Sequence, residues 1–160
     1  MKKNLFLIVL FIAIIFFGRI LPHPYNFTPL IAVTLLSSYA LSNKLLVITI
    51  PIFGFWLSDL FMNNFIYAGY YKDFTIFNSG MIWTYGAIVL VALLGNSFLD
   101  KISSGKVALA SLSGSTLFYL ISNFGVWAFS PMYAKTLFGL IQCYSPVSYT
   151  HLRAHETEAD

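Results

Sequence analysis

Apolar side chains occur in this chain in long runs separated by short polar breaks, and that spacing constrains the fold before anything else does. The runs start at Leu5, after Pro29, at Leu45, at Gly80 and at Lys106. A helix crossing the hydrocarbon core of a bilayer needs about 20 predominantly apolar residues. Of the 160 residues, 58% are hydrophobic and 9% charged, too few polar groups to cover a soluble fold of this size. The sequence therefore predicts an all-α, polytopic membrane helix bundle.

The breaks set the expected elements. Helix one covers Leu5 to Phe17 and extends through Gly18 to Leu21. No small-residue cleavage site follows it, so it reads as a retained helix and not as a secretory signal. A short second helix starts after Pro29 and runs to about Leu41, and a third runs from Leu45 to Met62, with Pro51 and Gly54 inside it. Asn63 to Ser79 reads as a polar, tyrosine-rich interfacial loop. A fourth helix spans Gly80 to Phe98, a fifth Lys106 to Phe129, and a sixth starts at Tyr133 and is cut off near Tyr144. The expectation is thus five complete spans plus a truncated sixth, in one domain over residues 1–145.

Lysine placement gives an orientation. With a cytoplasmic N-terminus, Lys2, Lys3, Lys44, Lys101 and Lys106 face inside, against Arg19, Lys72 and Lys135 outside. The net charge of +3 then records loop orientation and implies no nucleic-acid partner. This topology collects the unusual polar residues at the outer end: Arg19, His23 and Asn26 after helix one, Ser58, Asp59 and Asn63 closing helix three, and Asn123 and Trp127 near the end of helix five. The i, i+4 spacing places Pro51, Phe55, Asp59 and Asn63 on one face, and Ser111, Ser115, Tyr119, Asn123 and Trp127 on another.

An ionisable side chain within a span costs a few kcal/mol and needs a partner or a water-filled cavity. Two accounts of Asp59 stay open: a structural pair with Arg19, or a pocket wall formed with Arg19 and Asn123 around a polar ligand. Arg19 alone could snorkel to the headgroups. His23, in Pro22-His23-Pro24, either caps that pocket on a rigid extended segment or sits in an ordinary turn. Ala110 and Gly114 read as packing residues that let helices approach closely.

Other chemistries find no support. One cysteine, Cys143, rules out a disulfide framework, and no Cys/His cluster has zinc spacing. There is no phosphate-binding loop, no His-Glu-x-x-His and no Gly-x-Ser-x-Gly. No enzyme activity, catalytic residue, cofactor or metal is expected.

The segment Arg19-Ile-Leu-Pro-His-Pro-Tyr-Asn-Phe-Thr-Pro29, with Ser58-Asp59, Ser122-Asn-Phe-Gly-Val-Trp127 and Tyr133-Ala-Lys-Thr-Leu-x-Gly139-Leu, resembles an uncharacterised bacterial family of membrane transport proteins. Its helix layout is in turn similar to the S-components of energy-coupling-factor (ECF) vitamin transporters. The resemblance implies a bacterial inner-membrane subunit that captures a micronutrient from outside and docks on a transmembrane coupling subunit driven by ATPases. It also implies substrate-binding roles for Arg19, His23, Asn26, Asp59, Asn123 and Trp127. The alternative is a structural or assembly subunit of the envelope with no small-molecule ligand. Residues 146–160 stand apart: Ser148 to Glu156 resembles a translated sequencing-adapter peptide, and three of the six acidic residues and two of the three histidines fall in this tail. It reads as non-native and is set aside.

Overall fold

The structure, a computed structural model, describes residues 2–22, 29–69, 73–78, 80–99 and 102–145. Six α-helices account for most of them: α1 (Lys2–Ile20), α2 (Leu30–Ala40), α3 (Lys44–Phe61), α4 (Met81–Phe98), α5 (Ser104–Phe129) and α6 (Leu137–Tyr144). No strand occurs among the described residues. Three helix starts follow side-chain chemistry. Asn43 accepts from Leu45 N, Ser103 from Lys106 N and Thr136 from Gly139 N, each satisfying an amide that the first turn leaves open. Pro51 lies inside α3 without ending it.

Two boundaries differ from expectation. α3 continues beyond Phe61 into a π-helical turn, Met62–Ile66, so the expected loop at Asn63 begins as helix. α6 starts at Leu137, because Thr136 takes the capping position and the residues from Tyr133 to Lys135 bend without forming helix.

The count of spans is corrected. Among the described residues, three helical stretches are long and apolar enough to cross a membrane: Lys44–Ile66, Met81–Phe98 and Ser104–Phe129. The first helix offers the shorter apolar stretch Leu5–Ile20, and α2 has only 11 residues. At 1.5 Å per residue α2 is about 17 Å long, little more than half of the roughly 30 Å of a hydrocarbon core. α6, with 8 residues, is shorter still.

Contacts order the helices up and down. Gly54 of α3 lies against Ile12 and Ile15 of α1, and Asp59 meets Arg19, so α1 and α3 run parallel. Tyr85, near the start of α4, reaches Asp59 near the end of α3, and Gly125, near the end of α5, packs on Trp83 at the start of α4. α3 and α4 are therefore antiparallel, as are α4 and α5. The short α2 sits centrally and touches α1, α3, α4 and α5. Its buried side chains include Leu30, Val33 and Leu35, and its buried hydroxyls are all bonded. Thr34 donates to Leu30 O at 2.7 Å, Ser37 to Thr34 O at 2.7 Å, and Ser38 to both Thr34 O at 2.9 Å and Ala92 O at 3.2 Å.

Glycines set the closest approaches. A Cβ on Gly95 would lie 2.6 Å from Ser38 Oγ and 3.0 Å from Leu35 Cδ2, so α2 and α4 pack nearly backbone to backbone there. Gly114 rests on Val91, Ile31 and Leu35, and Ala110 is fully buried, as expected of packing residues. α5 is the least covered of the three long helices: Ser111 and Ser115 are exposed, as are Leu112 and Leu120.

Candidate functional site

The end of the bundle where α1 and α3 finish and α4 begins holds a polar cluster between apolar helices. Arg19, in the last turn of α1, directs Nη1 at three oxygens of α3. It donates to Asp59 Oδ1 at 2.5 Å, to Ser58 Oγ at 2.7 Å and to Phe55 O at 3.2 Å. Its guanidinium carbon lies 3.8 Å from the centre of the Phe55 ring, a cation–π contact. The second carboxylate oxygen, Asp59 Oδ2, accepts from the Tyr85 hydroxyl of α4 at 3.3 Å. One carboxylate thus links three helices.

The pair is largely withdrawn from solvent, the Arg19 and Asp59 side chains keeping 17% and 10% of their surface. Burying two charges is tolerable where they meet each other and where neighbouring dipoles satisfy what remains. Phe55, stacked edge-on against Tyr85 at 5.9 Å, closes the inner side of the cluster. Ser58 is fully buried and donates to Phe55 O at 2.6 Å, so its hydroxyl serves both the backbone and Arg19.

One turn farther along α3, the same face carries Asn63. The i, i+4 series Pro51, Phe55, Asp59, Asn63 is buried at every position, as one helix face packed inward requires. The π-helical turn widens the backbone here, a feature that occurs often at functional positions. Two neighbouring asparagines behave differently. Asn64 donates Nδ2 to Leu60 O at 2.8 Å and to Thr75 O at 2.9 Å, and accepts from Thr75 N at 2.7 Å, pinning the connection to α4. Asn63 is buried, and its Nδ2 has no hydrogen-bond partner. An amide so placed costs about 1–3 kcal/mol of stability.

Asn123 and Trp127 lie at the same end of the bundle, on the other side of the first turns of α4. Trp83, two residues before Tyr85, packs on Gly125 and stands 5.1 Å from Phe124, so α4 separates the two groups. Here α6 folds back on α5. Trp127 Nε1 donates to Ala134 O at 3.0 Å, Lys135 Nζ donates to Trp127 O, and Cys143 Sγ contacts Asn123 O at 3.3 Å. Asn123 spends its amide on Tyr119 O of its own helix at 2.8 Å. Tyr119 and Tyr144 exchange contacts, each hydroxyl donating at 2.5 Å to a backbone carbonyl of the opposite helix. These groups hold α6 in place.

Arg19 and Asp59 therefore meet, Asn123 and Trp127 form a second group, and His23 and Asn26 lie outside the described residues. Among the described residues no group of three or more His, Cys, Asp or Glu is placed to hold a metal ion. Sequence reading passed over Tyr85. Its signal was present: a phenol inside an apolar run, at the end of the bundle where Asp59 needs a donor.

Comparison with curated proteins gives no match, and neither does comparison with solved structures. A family model matches residues 1–147, nearly the whole length, and the chain therefore belongs to the family of unknown function (DUF6580).

Proposed function

We propose that the protein is a membrane-embedded subunit that captures a small solute for transport, similar in role to the S-components of ECF transporters. The observation that carries this reading is the polar stripe Asp59–Asn63, with Arg19 and Tyr85 against it, in a bundle of apolar helices. Charged and amide groups in a span are costly and are retained where they serve a partner, a solute or a conformational change. Here the Arg19–Asp59 pair fixes the site and sets its charge balance, while Asn63 offers a group for recognition. Asn123 and Trp127 frame the neighbouring α5–α6 contact and act on the site through α4.

The setting is the bacterial inner membrane, with the N-terminus cytoplasmic and the polar end of the bundle outside. The natural partner is a transmembrane coupling subunit driven by ATPases. The test is native mass spectrometry of protein purified in mild detergent from rich and from starved cells. A reproducible bound mass, reduced by Asp59→Asn, is the expected result; protein that stays empty under both conditions would sink the reading.

A second reading has its own support. Both carboxylate oxygens of Asp59 are already occupied, by Arg19 and by Tyr85, which is what a helix clamp in a structural or assembly subunit requires. That reading expects Asp59→Asn to lower thermal stability with no bound mass to lose.

A further inference from the structure

Among the described residues of the cluster at the ends of α1 and α3, one fully buried side-chain atom has no hydrogen-bond partner. Arg19 donates to Asp59, Ser58 and Phe55 O; Asp59 accepts at both oxygens; Tyr85 spends its proton on Asp59; Asn64 uses both ends of its amide. Asn63 Nδ2 is that atom, on a residue that keeps 8% of its surface. Buried polar groups in folded proteins are nearly always bonded, and an exception points to something that binds there. The atom stands one turn beyond Asp59 on the same buried face, on a π-helical turn.

We infer that Asn63 Nδ2 is the recognition donor for a small neutral solute carrying a carbonyl-type acceptor. The chemistry follows from what is already used. The Arg19–Asp59 pair is closed on itself at 2.5 Å and carries no net charge, so the site offers no unbalanced charge to attract an ion. The unspent group is an N–H, which selects an acceptor: a ketone, amide or ring carbonyl. A site built to donate also discriminates sharply, because an analogue lacking the acceptor leaves the amide unpaired again. This inference rests on the solute-capture reading and narrows it to a class of solute.

The test separates the two. Cyclopentanone, a neutral acceptor, and cyclopentane, its counterpart without one, are titrated into the ¹⁵N-labelled full chain in detergent. Cyclopentanone is expected to move the Asn63 side-chain amide resonance, which is identified by its absence in Asn63→Leu and Asn63→Asp, and cyclopentane to leave it in place. No movement with cyclopentanone, or equal movement with both, overturns the inference. Asn63→Leu is also expected to raise the melting temperature of solute-free protein, since it removes an unpaired buried amide; a lowered melting temperature would make Asn63 a structural residue and overturn it as well. Native mass spectrometry then distinguishes the readings. A co-purified mass lost in Asn63→Leu supports both. A mass retained in that variant overturns the role of Asn63 and leaves solute capture standing. Empty wild-type protein with a cyclopentanone-specific shift overturns solute capture and keeps the donor assignment.

Discussion

A carboxylate shared by an arginine and a tyrosine has a definite hierarchy of costs. Removing the carboxylate strands Arg19 among apolar helices, and breaking a buried pair in this way costs about 3–5 kcal/mol. Asp59→Leu is therefore expected to lower the melting temperature in detergent strongly, whereas Tyr85→Phe, which removes one hydrogen bond of 3.3 Å, should cost only about 1 kcal/mol. In the cycle of Arg19→Met, Asp59→Leu and the double variant, the two single losses should sum to clearly more than the double loss, because the double variant leaves no unpaired charge. Additive losses would show that the two residues do not act as a pair. The sequence made the inward face of α3 legible, since the four-residue spacing of Phe55, Asp59 and Asn63 depends only on helix geometry. It could not show that Asp59 shares its carboxylate with Tyr85, because that donor arrives from another helix. Nor could it distinguish Asn63 from Asn64, whose different fates are decided by the π-helical turn and by Thr75.

Helices meet here at particular small residues, and each meeting can be tested by adding one methyl group. Gly95→Ala forces its Cβ toward Ser38 Oγ, 2.6 Å away, in a crossing where Ser38 also bonds Ala92 O. Overpacking of this kind typically costs about 1–3 kcal/mol. Adding Ser38→Ala should recover part of the lost melting temperature; no recovery would place the strain elsewhere. Gly125→Ala pushes into Trp83 and should separate α4 from α5, read as a blue or red shift of tryptophan emission together with lowered stability. The α5 stripe shows how far periodicity reaches. Tyr119, Asn123 and Trp127 do share one side of the helix, but α6 and the turn before it are held there by hydrogen bonds from side chains to backbone carbonyls that no residue spacing reveals. α6 itself starts late because a capping threonine, and not hydrophobicity, sets its first turn.

For the molecule as a whole, the alternation of helix direction places the turn at Ser103 and the connection at Met132 at opposite ends of α5. If the N-terminus is cytoplasmic, alkaline phosphatase fused after Ser103 should be inactive and the same enzyme fused after Met132 active; the reverse pattern would invert the orientation. Hydropathy made the helices themselves visible but overstated the number of spans, because apolar composition does not measure length. The 11 residues of α2 are as apolar as those of their neighbours, and contacts with α1, α3, α4 and α5 bury one side of the helix, including Leu30, Val33 and Leu35, while Leu36 and Tyr39 on the other side stay exposed. That shortness has a consequence for how the chain is made. A segment of about 17 Å is a poor substrate for insertion on its own. Only residues 41–43 separate α2 from α3. If the N-terminus is cytoplasmic, α2 and α3 are expected to enter the bilayer together as a hairpin, with Lys44 near its tip on the cytoplasmic side.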